Sequence, residues 1–273
     1  MDLSASLLDH EGDIRFYLFV SFFLFVTVWE TYAPRIRDMR ATAVRWVNNI
    51  GLLVVCNILV AVVYPAAAVG ASIAAQARGW GLFNHVALPW WFAGMASLLA
   101  IDLSRYGEHV LLHKVPFLWR FHKVHHCDLE YDCTTGLRFH PIEALLTSAM
   151  GLSLIALLGM PPLAVLFYEF CYISITLFSH GNIRMPGRLD HFLRYVLVTP
   201  DAHRIHHSAL RKEMDSNYGI LLLWWDRLFG TYCVRPQRSY EAMTMGLPDI
   251  RDPKGVTFFK LLLMPFVGLR VKD

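Results

Sequence analysis

Charge is scarce in this chain. Asp, Glu, Lys and Arg make up 17% of its 273 residues, where a soluble domain carries about 25%. With 55% hydrophobic residues and a mean hydropathy of +0.40, that shortage argues against a soluble protein and for a membrane protein. The net charge of +3 is too small to argue for nucleic acid as a partner. The five cysteines, Cys56, Cys127, Cys133, Cys171 and Cys233, form no C-x-x-C pair and read as reduced residues without a role of their own. Neither H-E-x-x-H nor G-x-S-x-G occurs, so the membrane zinc-protease signature and the nucleophile-elbow signature are both missing. The opening MDLSASLLDHEGD is acidic, without a basic n-region or cleavage site, so no cleaved signal is expected. There are no heptads, no low-complexity tract and no second soluble domain.

What is present is a series of apolar runs. Residues 14–32 are long enough to cross a bilayer as a helix, and Pro34 closes them. The basic stretch RIRDMRATAVR follows, with Arg35, Arg37, Arg40 and Arg45. A second apolar run covers 46–64 and ends at Pro65. Residues 66–88 are Ala/Gly-rich and read equally as loop, re-entrant piece or short helix. A third helix starts at 89–103 and is expected to leave the lipid and continue to His113, since Pro116 is the first strong breaker. Residues 141–160 and 163–178 are joined by Gly-Met-Pro-Pro, a tight corner that makes them a helical hairpin. Residues 258–269 are expected to lie on the membrane surface. The expected fold is an all-α integral membrane protein with about four transmembrane helices plus the hairpin and a cytoplasmic helical cap. It divides into an N-terminal transmembrane region (1–100), a catalytic region (101–235) and a tail (236–273).

The histidines carry the chemistry. Residues 121–126 read FHKVHH and residues 202–207 read AHRIHH. At this chain's histidine frequency His-x-x-His-His is expected about 0.03 times, and it occurs twice. On a helix, positions i, i+3 and i+4 share a face. His122, His125 and His126 therefore point one way, as do His203, His206 and His207, and His109 and His113 share a third face. His180, at the end of the hairpin, supplies a ninth imidazole. The arginine cluster places the loop between the first two spans in the cytoplasm, and the span count brings all nine histidines to that same side. One mononuclear site needs three or four ligands, so this set suits two metal ions. Imidazole alone does not choose among zinc, copper, iron and nickel. A metal centre at the mouth of an apolar bundle suits oxidation of a lipid whose tail stays in the membrane.

At these residues the chain resembles the fatty acid hydroxylase superfamily, which includes sterol desaturases. The matching stretches are DLSRYGEHVLLH, PFLWRFHKVHHCDLEYDCTTGLRFHPIE, FSHGN, TPDAHRIHHS and NYGILLLWWDRLFGTY, in order over residues 102–232. One departure is Val110, where the family often has Arg after the first histidine. The resemblance implies an oxidoreductase of the monooxygenase type in lipid biosynthesis. It implies two iron ions (zinc being an alternative in the protein as isolated), dioxygen as co-substrate, a lipid substrate in the bilayer, and a separate electron donor of cytochrome b5, ferredoxin or reductase type. A metal-dependent lipid hydrolase with a dinuclear zinc site is the alternative, and it needs Glu108 or Glu143 as its base.

Ligand histidines need their second ring nitrogen held. Asp102, Glu143, Asn182, Asp201, Asn217 and Asp226 are the polar neighbours that suit this role, and His140 is open between ligand, outer partner and helix start. Glu169, an acid inside an apolar helix, is a functional candidate by position.

Overall fold

The computed structural model describes residues 3–37, 39 and 42–267. Arg40 and the last two residues of the 258–269 segment lie outside the described residues. Among the described residues there are helices and three isolated bridges, with no strand. The helices are α1 (Leu3–Asp9), α2 (Glu11–Tyr32), α3 (Thr42–Val63), α4 (Ala67–Ala77), α5 (Trp90–Lys114), α6 (Pro116–His126), α7 (Pro141–Leu158), α8 (Pro162–Ser179), α9 (Gly187–Leu193), α10 (Pro200–His206), α11 (Arg211–Met214), α12 (Trp224–Leu228) and α13 (Phe258–Leu263).

Proline punctuates this order. Pro116, Pro141, Pro162 and Pro200 each open a helix within its first two positions, where the missing N–H has no intrahelical partner to lose. Gly159 closes α7 with φ +64, the left-handed conformation that favours glycine. The corner to α8 is therefore tight, as the Gly-Met-Pro-Pro run implies.

Four segments are long and apolar enough to cross a membrane: Glu11–Tyr32, Thr42–Asn84, Pro141–Leu158 and Pro162–Ser179. The last two are the hairpin, and at 18 residues each they are about 27 Å long. The predicted third span, α5, is not among the four, because Asp102, Arg105 and Glu108 interrupt its apolar character. Helix α2 packs on α8, α3 on α7, and α5 on α6, α7 and α8. The outer faces carry exposed apolar side chains, such as Phe25 and Val28 on α2 and Val54 and Ile58 on α3, as expected of a surface that meets lipid. The ambiguous 66–88 segment contains a helix, α4, which packs across α7 and α8.

With 25 residues, α5 is about 37 Å long, more than the roughly 30 Å of a hydrocarbon core. Its last turns, with His109 and His113, reach into the cap built from α6 and the chain after α8. A buried ionic clasp joins this cap to α3. Arg45 bonds Asp128 through Nε and a terminal nitrogen at 2.7 and 2.8 Å, and Asp132 at 2.7 Å. Burial opposes ionisation of Asp128, but Arg45 and Arg138 override it and hold the carboxyl below its ordinary range. The arginines that the sequence groups between the first two spans are therefore divided in role. Arg45 is buried, Arg35 pairs with Asp201 at 3.0 Å, and Arg37 is exposed.

Candidate metal centre

All nine singled-out histidines are buried and converge. They form two adjoining groups. His109, His113, His122, His126 and His206 make one, and His125, His180, His203 and His207 make the other. Within each group the nearest donor atoms lie within 4.8 Å of one another. The box spacing explains the division. In α6, positions i and i+4 (His122, His126) join the five-histidine group while i+3 (His125) turns to the other. In α10 the roles reverse: His203 and His207 join the four-histidine group and His206 turns to the first. Each box bridges both groups.

The geometry fits metal ions. Nε2 of His109, His122, His206 and His207 is buried with no hydrogen-bond partner, a costly state unless something binds it. Other nitrogens face one another. Nε2 of His113 and His126 are 3.1 Å apart, those of His180 and His203 3.1 Å, and those of His125 and His180 3.3 Å. With a metal–imidazole bond of about 2.1 Å, neighbouring ligands on one ion stand roughly 3.0–3.4 Å apart. Burial, reinforced by neighbouring imidazoles, keeps His109, His113, His125, His126, His203 and His207 well below the ordinary histidine range. Burial lowers His180 to about 4 and His206 to about 3. These eight imidazoles are thus neutral at pH 7, which is the ligating form.

Five histidines have Nδ1 held from outside, which turns Nε2 inward. His122 Nδ1 donates to Glu143 at 2.7 Å. The other four donate to main-chain carbonyls: His109 to Tyr218 at 2.8 Å, His125 to Arg138 at 3.1 Å, His180 to Thr176 at 2.8 Å and His206 to Ser216 at 2.7 Å. Of the polar neighbours picked from sequence, Glu143 alone bonds one of these histidines. Asp102 accepts from Tyr168, Trp225 and the backbone N–H groups of Leu221 and Leu222. Asp226 accepts from the N–H groups of Tyr218 and Gly219 and from Thr231. Asn217, with φ +52, donates to the carbonyls of Ala202 and Cys233. These three hold the 216–222 strap whose carbonyls orient His206 and His109, so they act on the histidines through the backbone. Asn182 bonds Ile36 and Arg204, and Asp201 bonds Arg35. His140 is a helix start: Nδ1 caps α7 by accepting from Ile142, and Nε2 donates to the Leu262 carbonyl.

Sequence reasoning missed two further parts. Arg138 is fully buried and bonds the Val124 carbonyl, Asn49 and Cys127, which fixes the carbonyl that holds His125. Tyr131 stacks on His180, with centroids 5.7 Å apart, and lies under the Arg204 guanidinium. Both residues fall inside the quoted family stretches, which was the available signal.

An apolar cavity of about 540 Å3 opens onto these histidines. His109, His122, His125, His180 and His203 form part of its wall, and Phe19, Leu53, Val60, Leu137, Phe139, Ile173 and Leu177 form much of the rest.

The family model described as Fatty acid hydroxylase matches residues 94–231, half of the chain. The chain belongs to the fatty acid hydroxylase family. Among the family's curated members, it is 35% identical over 152 residues to the ornithine lipid hydroxylase OlsE of Rhizobium tropici, covering 55% of this chain and 45% of that one. It is 29% identical over 172 residues to human alkylglycerol monooxygenase, covering 61% and 36%. It is 27% identical over 141 residues to rat cholesterol 25-hydroxylase, covering 51% and 46%. The chain thus spans less than half the length of these family members. No solved structure matches it.

Proposed function

We propose that this protein is a membrane di-iron oxygenase that hydroxylates or desaturates a lipid, using dioxygen and electrons from a separate electron-transfer protein. The observation that carries the reading is the meeting of two buried histidine groups with an apolar cavity inside the helix bundle. The proposed ligands of one iron are His109, His113, His122, His126 and His206; those of the other are His125, His180, His203 and His207. Zinc in the protein as isolated would occupy the same imidazoles. Bound iron with dioxygen supplies the power to remove hydrogen from an unactivated C–H bond.

The chain's own residues do the rest. Glu143 and the carbonyls of Arg138, Thr176, Ser216 and Tyr218 keep the Nδ1 protons outside, so the Nε2 lone pairs face inward. The apolar wall excludes water and holds a hydrocarbon chain against the histidines. The names of the relatives support a lipid substrate, since ornithine lipid, alkylglycerol and cholesterol share long apolar bodies and differ in their polar groups. On the cap, exposed Arg184, Arg188, Arg211, Lys212, Arg235, Arg238 and Arg251 outnumber exposed Glu241, Asp249 and Asp252, which supports a cytoplasmic orientation. A cytochrome b5-, ferredoxin- or reductase-type donor would approach from that side.

The dinuclear zinc hydrolase is disfavoured because both carboxylates that could serve as its base already bond neighbouring side chains. Glu143 is taken by His122, and Glu108 accepts from Ser104 and Arg105. A single-turnover experiment tests the reading. Iron-loaded protein is reduced, freed of reductant, mixed with a membrane lipid extract and exposed to isotopically labelled dioxygen. Label in a lipid hydroxyl, or a new alkene with labelled water, is expected. Unlabelled cleavage products from the zinc-loaded protein, with no label from the iron form, would overturn it.

A further inference from the structure

The cavity has a polar far end. Arg15 of α2 lines it, ion-pairs with Glu11 on its own helix, and stands 3.0 Å from Glu169 of α8. Two atoms of this cluster are buried without a hydrogen bond: the Arg15 Nε–H donor and the Glu169 Oε2 acceptor, which is close to Arg15 but out of alignment with it. Charged groups at this depth in a helix bundle are costly and mark ligand sites. One cation beside two carboxylates also repels an anionic group. A hydroxyl fits, because it brings one donor and two acceptor lone pairs.

The position sets a distance. Glu169 lies eleven residues before His180 on α8, so the cluster is about 16 Å from the histidines along the helix axis. Half of a roughly 30 Å hydrocarbon core is about 15 Å. Phe16 and Asn57 line the cavity and are exposed on the outer surface, so the cavity opens between α2 and α3, which pack on different helices.

We propose that Arg15, held by its ion pair with Glu169, binds the hydroxyl of a neutral lipid, which enters between α2 and α3 and lies with its apolar end at the histidines. The substrate class is an uncharged molecule with a hydroxyl at one end and a hydrocarbon body about one leaflet long. Oxidation then falls far from the hydroxyl. The inference rests on the oxygenase reading for its chemistry but not for its binding test.

Hexadecanol, hexadecane and palmitate are the probes. Binding is measured on the metal-free protein in detergent, with each variant's metal uptake as the check on folding. Wild type should hold hexadecanol about 10- to 100-fold tighter than hexadecane, the worth of hydrogen bonds to charged groups, and palmitate no tighter than the alkane. Arg15→Met should abolish the preference. Arg15→Lys, which keeps the charge and loses the Nε donor, should reduce it. Equal binding of alcohol and alkane by wild type, or an unchanged preference in both variants, would overturn the anchor. With iron, reductant and dioxygen, product should carry oxygen at the end remote from the alcohol, and product oxidised beside the hydroxyl would overturn the orientation. A binding preference without any oxidation would leave the anchor standing and remove the oxygenase reading.

Discussion

Removing Glu143 should loosen one metal ion and spare the other. Its carboxylate takes the Nδ1 proton of His122 at 2.7 Å, and both side chains are buried. Among the described residues no other side chain bonds that nitrogen. Glu143→Ala would leave a buried N–H without a partner, a loss of about 1–3 kcal/mol, and would free the ring to turn. Outer partners of metal-bound histidines are typically worth about 10–100-fold in affinity, which agrees with that energy. Glu143→Gln keeps an acceptor without the charge and should fall between wild type and Glu143→Ala. The assay is competition with a graded series of chelators, following both ions separately. The expected record has one ion weakened by one to two orders of magnitude and one unchanged. Equal weakening of both ions, or of neither, would refute the assignment of His122 to the five-histidine group.

Three other outcomes follow from the same geometry. A Cβ on Gly136 would stand 2.9 Å from His180 Nδ1, so Gly136→Ala should displace that ring and weaken the four-histidine centre in the same chelator assay. Arg45→Met leaves Asp128 and Asp132 buried without their main cation; breaking a buried pair costs about 3–5 kcal/mol, read as a lowered midpoint in thermal or denaturant unfolding in detergent. The metal-free protein should lose stability on acidification. His180 and His206 are lowered by burial to about 4 and about 3, so the unfolded chain takes up protons first as pH falls below about 6.5. Stability is full above that pH, declines from there toward pH 4–3, and is measured by unfolding at fixed metal-free conditions; a flat profile across that window would contradict buried neutral imidazoles.

The histidine groups were legible because helical spacing alone sorts imidazoles onto faces. Two boxes, a pair at i and i+4 and His180 are enough to predict convergence. The exchange of i+3 ligands between the boxes was not legible, since it depends on how α6 and α10 face each other. The outer partners were read poorly for a physical reason. A carboxylate is visible in a sequence, while the carbonyls of Tyr218, Ser216, Arg138 and Thr176 belong to every residue alike. Asp102, Asn217 and Asp226 bond none of the histidines; they hold the strap that carries the Ser216 and Tyr218 carbonyls. The sequence does not separate Arg45 from the loop arginines, because a buried ion pair needs Asp128 and Asp132, more than eighty residues away. The weak span in α5 has a related origin: Asp102 is satisfied by Tyr168 on α8 and by the strap, and Arg105 by Glu108 on its own helix and the Thr147 carbonyl on α7.

The central claim is that nine histidines form two distinct metal sites, one of five and one of four. Its most direct measurement is the metal content per chain of iron-loaded wild type beside two variants, His122→Ala and His207→Ala. Two irons in wild type are predicted. The variants should each retain one, with different X-ray absorption spectra for the iron that remains. A single iron in wild type, or the same residual spectrum from both variants, would contradict the account.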